Sequence, residues 1–176
     1  MVIFLCGKDT FRSRQQLKKM IEKFKVDRDP SGYNVSRLDA ATVRDSGVII
    51  EQMLAVPFLA ERRLIAIENL LVSKEVEVQE ELLSRLNENR LPESNVIIVW
   101  EGTDTFKTKL AKTLAERLAK EKFSQQFDEP TAAEVLRWIT AEAKARGGAI
   151  ALPAVQFLGA HVGSDAVRGF IEKKQP

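Results

Sequence analysis

The chain has 176 residues, 44% of them hydrophobic and 30% charged, which suits a soluble globular protein with room for one full domain and a small second one. A formal net charge of +2 gives no global electrostatic case for coating nucleic acid, and the single cysteine, Cys6, excludes an intrachain disulfide framework or a cysteine-rich metal site. No apolar stretch reaches the roughly 20 residues that span a bilayer, and Gly7-Lys8-Asp9 interrupts the first apolar run too early for a signal peptide, so a reduced, cytoplasmic protein is expected.

Val2 to Cys6 is an apolar run of strand length that stops at Gly7. A helix is expected from Asp9 or Thr10, with Leu17, Met20, Ile21 and Phe24 at the i, i+3, i+4, i+7 spacing. The turn composition Asp29-Pro30-Ser31-Gly32 leads into a second strand, Asn34 to Leu38. Thr42 and Asp45 are spaced as N-cap and third residue of a helix that Gly47 weakens near its start and that carries Ile49, Ile50, Met53 and Leu54. Pro57 ends it, because proline pushes the preceding residue out of the α region. Phe58 and Leu59 follow beside the charged cluster Glu61-Arg62-Arg63 and belong to neither neighbouring element.

Leu64 to Ile67 then forms a third strand, buried on both faces by its unbroken apolar character. Lys74 to Asn89 reads as a helix with Leu82, Leu83 and Leu86 on one face, and Asn95 to Trp100 as the cleanest strand of the sequence. Lys107 to Lys120 is helical, with Leu110, Leu114 and Leu118 in a stripe, and Lys122 to Phe127 is a short fifth strand. Strand and helix thus alternate to Phe127, which predicts an α/β fold with a mostly parallel sheet and flanking helices. The register changes at Asp128-Glu129-Pro130, which divides the chain into an α/β domain, 1–128, and a small helical domain, 129–176. In the second part Thr131 and Glu134 form a capping box, Val135, Trp138, Ile139 and Ala143 a stripe, and Gly147-Gly148 a stop. Pro153 to Val162 and Asp165 to Lys174 supply two further helices.

Chemistry is sought first where the first strand runs into Gly7-Lys8-Asp9-Thr10 and a helix, the setting of a phosphate-binding loop. A working loop needs G-x-x-x-x-G-K-[ST], with glycines that let backbone N–H groups wrap the phosphates and a hydroxyl after the lysine for Mg²⁺. Here Val2 stands at the first glycine and Asp9 at the hydroxyl, so the pattern is that of a P-loop NTPase-like fold without its nucleotide site. Gly7, Lys8 and Thr10, with Glu68 at the end of the third strand, are the residues of such a degenerate site; Glu68 by itself reads as a solvated strand end. His161 is the single histidine and reads as a helix surface residue. The basic run Lys107, Lys109, Lys112, Arg117, Lys120 and Lys122 is interleaved with Glu116 and Glu121, as in a solvated helix face, although such a face can also meet phosphates. Phe58 and Leu59 read either as a plug at the core's edge or as partner contacts.

Three segments carry a resemblance: Val2 through Arg14, then Arg37-Leu38-Asp39-Ala40, then Pro57-Phe58-Leu59-Ala60-Glu61-Arg62-Arg63-Leu64. With Leu136-Arg137-Trp138-Ile139, Ala143 to Gly148 and Val162-Gly163-Ser164-Asp165, the ordered set resembles the delta subunit of the bacterial DNA polymerase III clamp loader. The resemblance implies an AAA+-type core and a three-helix lid, with no cofactor and no nucleotide hydrolysis by this subunit. The implied role is accessory to a DNA-directed DNA polymerase (nucleotidyltransferase) holoenzyme: binding the sliding clamp, the beta subunit, and holding one interface open. The gamma/tau and delta prime subunits are the other implied partners, with DNA contacted weakly or indirectly. Family members place an apolar Leu-Phe pair ahead of the segment matching Ala60 to Leu64. The pair maps onto Phe58 and Leu59, within a clamp-binding segment that includes Pro57 and Arg62. The order here is Phe-Leu, and Leu54 stands where some members carry glutamine. The chain stops at Gln175-Pro176, whereas members continue into a collar domain. The competing expectations are a P-loop-related ATPase using Lys8 and Glu68, and a generic interaction adaptor on the same fold.

Overall fold

The computed structural model describes residues 1–43 and 45–161. The helix expected over Asp165 to Lys174 and the side chain of His161 lie outside the described residues. The chain divides into two compact units, Met1–Asp128 and Glu129–Pro176.

The first unit alternates strand and helix: β1 (Val2–Cys6), α1 (Thr10–Arg28), β2 (Val35–Asp39), α2 (Ser46–Leu54), β3 (Arg63–Glu68), α3 (Val76–Asn87), β4 (Asn95–Glu101), α4 (Lys109–Ala119) and β5 (Gln125–Gln126). The strands form one parallel sheet in the order β2-β3-β4-β1-β5. Central strands β1, β3 and β4 are the continuous apolar runs, because helices cover them on both sides. Successive residues of a strand face opposite ways. Thus Val2, Phe4, Ile65, Ile67, Ile97 and Val99 pack under Met53 of α2, Leu82 of α3 and Leu114 of α4. Ile3, Leu5, Leu64, Ala66, Val96, Ile98 and Trp100 face Leu17, Ile21 and Phe24 of α1. Edge strand β2 is only half-buried, which matches its mixed sequence.

Three local expectations are corrected. Asp45, not Thr42, caps α2: its Oδ1 accepts the Gly47 N–H at 2.9 Å, so Gly47 lies within the first turn. Thr42 is already committed to the turn after β2, where its N–H and its hydroxyl both donate to the Asp39 carbonyl. Strand β5 has two residues instead of six, because Glu121 and Ser124 donate to the carbonyls of Leu118 and Glu121 and hold that segment in turns. Helices α3 and α4 are also shorter than their apolar periodicity suggested.

The second unit contains α5 (Ala132–Ala145) and α6 (Leu152–His161), which pack together. The Thr131–Glu134 capping box is present. Gly147, at φ +76°, closes α5 as glycine can, donating to the Lys144 carbonyl while Gly148 donates to that of Ala143. Within the predicted stripe Ile139 is buried and Val135, Trp138 and Ala143 are half-buried.

Candidate functional site

All strands run the same way, so residues before and after them lie at opposite ends of the sheet. Pro57, Phe58, Leu59 and Arg62 precede β3 and fall at the end where the strands begin. Gly7, Lys8 and Thr10 follow β1, and Glu68 ends β3, all at the end where the strands finish. The two sets of sequence-predicted residues are therefore separate sites.

At the first end, α2 stops at Leu54, and the Ala55 N–H closes the last turn on the Glu51 carbonyl at 2.8 Å. The chain then runs over the surface. Phe58 is 60% exposed and Leu59 92% exposed, with Val56 open on the near side and Arg62 exposed beyond. Leu59 has φ +50°, a left-handed conformation unusual for a bulky side chain. Beneath the tip, the Asn34 side chain accepts the Phe58 N–H at 2.6 Å and donates to the Phe58 carbonyl at 2.9 Å. Arg63 anchors the exit, donating to Ser36 Oγ at 2.8 Å and to Gln52.

At the other end the β1–α1 loop is closed by its own chain. Phe127 donates its N–H to the Cys6 carbonyl at 2.8 Å, and its carbonyl accepts the Asp9 N–H at 3.0 Å. Gly7 has φ +130°, and a Cβ there would lie 2.2 Å from the Phe127 oxygen, so only glycine fits. Asp9 is buried and caps α1, accepting the Arg12 N–H at 3.0 Å and the Arg12 guanidinium. Arg12 also donates to the Asp128 carbonyl at 2.9 Å. Lys8 is exposed, and Thr10 begins the helix.

Glu68 requires a correction: it is buried, not solvated. One oxygen receives Arg14 at 2.9 Å and the other receives Arg37, so two half-exposed arginines cover the buried carboxylate and compensate its charge. The hydrogen bond to Glu68 holds the Arg37 guanidinium above its ordinary pKa. Arg14 also lies 3.9 Å over the Trp100 ring, whose Nε1 donates to Ser13 Oγ at 3.1 Å. With both oxygens occupied, Glu68 is not presented as a metal ligand. Among the described residues no group of three or more His, Cys, Asp or Glu side chains is arranged to hold a metal ion.

The profile of the DNA polymerase III delta subunit family matches residues 4–123. The chain belongs to that family. Among solved structures it is similar to the Bacillus subtilis DNA clamp loader delta protein YqeN, with TM-score 0.62 and 20% identity over 98% of this chain and 52% of that one. It is also similar to a Thermotoga maritima RuvB variant, with TM-score 0.58 and 12% identity over 89% of this chain and 47% of that one. At these identities the likeness establishes the fold, an AAA+-type core, and nothing finer. The chain spans about half the length of the solved structures it resembles. No curated protein sequence matches it significantly.

Two residues of this delta-family chain escaped sequence reasoning. Asn34 was read only as the first residue of the second strand, which in fact begins at Val35, and only the fold brings it under Phe58. Glu101 ends β4 fully buried, with Oε1 accepting the Leu71 N–H at 2.7 Å and Oε2 without a hydrogen-bond partner. Burial pushes its pKa up to about 7 and that of the neighbouring Cys6 thiol to about 11. A carboxylate directly after an all-apolar strand is the signal that could have flagged it. Along α4, Lys109 and Lys112 are exposed, while Arg117 turns inward to Glu121 and the Leu86 carbonyl. That arrangement fits a solvated face.

Proposed function

We propose that this chain is the clamp-binding part of a bacterial replicative clamp loader, non-catalytic in itself, which binds the sliding clamp and holds one of its interfaces open. Phe58 and Leu59 are the anchors, Pro57 shapes their approach, and Arg62 contributes charge at the rim. The observation that carries this reading is the pair of adjacent large apolar side chains, 60% and 92% exposed, on a loop pinned from below. Two such side chains ordered in water suit a partner pocket better than a core plug. Residues 129–176 act as the lid. The gamma/tau and delta prime subunits are the further partners, DNA is met weakly or indirectly, and the setting is the cytoplasm. The alternative, an ATPase using Lys8 and Glu68, has less support, since the Asp9 amide is committed to Phe127 and Glu68 to two arginines.

The test is titration of the chain, and of its Phe58→Ala/Leu59→Ala variant, with the cognate sliding clamp. Burying each side chain is worth about 1.5–3 kcal/mol, so the variant should bind at least about thirtyfold more weakly. Its melting temperature should hardly move, because exposed side chains leave no cavity. A folded variant of unchanged affinity would refute the anchor assignment.

A further inference from the structure

The contacts under the exposed pair involve one buried residue whose every polar atom is used. Asn34 is only 1% exposed. Its main-chain N–H donates to Asp29 Oδ2 at 2.7 Å, and its carbonyl accepts the Leu64 N–H at 2.8 Å. Its side-chain Nδ2 donates to the Phe58 carbonyl at 2.9 Å and to Asp29 Oδ1 at 3.2 Å, while Oδ1 accepts the Phe58 N–H at 2.6 Å. A carboxamide carries a donor and an acceptor side by side, as a backbone residue does when it exchanges two bonds with its partner in an antiparallel ladder. The Asn34 side chain is in effect a one-residue strand paired with Phe58. The same residue's carbonyl holds Leu64, so the loop is gripped at its tip and at its exit.

Asp29 decides which way the amide points. An ionised carboxylate only accepts, so the Nδ2 side of Asn34 must face it, and Oδ1 is left for the Phe58 N–H. Burial pushes Asp29 toward the protonated form, but hydrogen bonds from Ser31, Asn34 and Gly32 hold its pKa below the ordinary value. It therefore remains an acceptor at neutral pH.

We infer that Asn34, oriented by Asp29, is the positioning residue of the partner-binding loop, holding Phe58 and the left-handed Leu59 in their projecting geometry before a partner arrives. The identity of the partner rests on the clamp-binding reading above; the loop geometry does not. Order already present in the free loop need not be created on binding, and that preorganisation is the advantage Asn34 supplies.

The test uses the whole chain with Asn34→Ala and the milder Asn34→Ser. Hydrogen exchange at the Phe58 N–H is followed by NMR beside that of the β3 amides, which report global folding. Affinity is read by titration with the sliding clamp. Asn34→Ala should speed Phe58 exchange at least about tenfold relative to β3 and weaken clamp binding about tenfold, with Asn34→Ser intermediate in both. Added to Phe58→Ala/Leu59→Ala it should cause no further loss of affinity, since no anchor remains to be positioned. A residue that only supports the fold would weaken both backgrounds equally. That result, or a folded Asn34→Ala protein that binds as well as wild type, overturns the inference and leaves the clamp reading intact. If wild type does not bind the clamp, the reading fails by itself. The positioning role then stands on faster Phe58 exchange in Asn34→Ala and falls if that exchange is unchanged.

Discussion

At Glu101 a carboxyl group sits where water does not reach, and its ionisation works against the fold. The group ionises near 4.5 when solvated and near 7 in the folded chain, with burial as the largest cause. Between those values the folded state holds a proton that the unfolded state has released, so the contribution of this group to stability is greatest below about 4.5 and falls as pH rises to about 7. A shift of this size is worth roughly 3 kcal/mol, at about 1.4 kcal/mol per unit. Urea unfolding at pH 5 and pH 8 should show wild type losing stability to this group, and Glu101→Gln should remove that part of the loss. A pH dependence that the substitution leaves unchanged would clear Glu101 as its source. Phe58 and Leu59 present the opposite case, apolar groups kept in water; Pro57 and the charged cluster marked them in the sequence as outside both adjacent elements, but only the structure decides between a plug at the core's edge and an exposed pair. Asn34 was not readable, since its role depends on a partner 24 positions away that only the sheet brings near.

Among the elements, β1, β3 and β4 were legible because a strand covered on both faces must be apolar throughout. What the sequence left ambiguous was where hydrogen bonds end an element. Asp45 displaced Thr42 as a cap because Asp39 had already engaged Thr42, and most of β5 was lost to turns that apolar content does not mark. Helix α1 shows such an ending with a measurable consequence. Asp9, itself buried, both caps its first turn and pairs with the half-exposed Arg12. Asp9→Ala should cost about 1–2 kcal/mol for the cap, with little added for the ion pair, because Arg12 is half exposed and keeps its bond to the Asp128 carbonyl. The urea midpoint should fall with an unchanged slope; a midpoint equal to wild type would show that the cap contributes nothing.

For the molecule as a whole, the parallel topology separates an exposed apolar tip at one end of the sheet from the closed β1–α1 loop at the other. The broken phosphate-loop pattern was legible at Asp9. The segment that fills the loop was not, because Phe127 reaches Gly7 only once β5 is laid beside β1. Titration with a fluorescent ATP analogue and Mg²⁺ should give no binding at micromolar concentrations. Asp9→Thr, which completes the lysine–hydroxyl lettering, should give none either; saturable binding abolished by Lys8→Ala would overturn both expectations. The Phe127 carbonyl is a ligand tethered to its own receptor. A group held on the same chain acts at an effective concentration set by the short segment joining it, in the millimolar range or above, and the Asp9 amide meets it before any phosphate in solution. Restoring a nucleotide site here would therefore take more than new side chains: the chain at Phe127 would first have to leave.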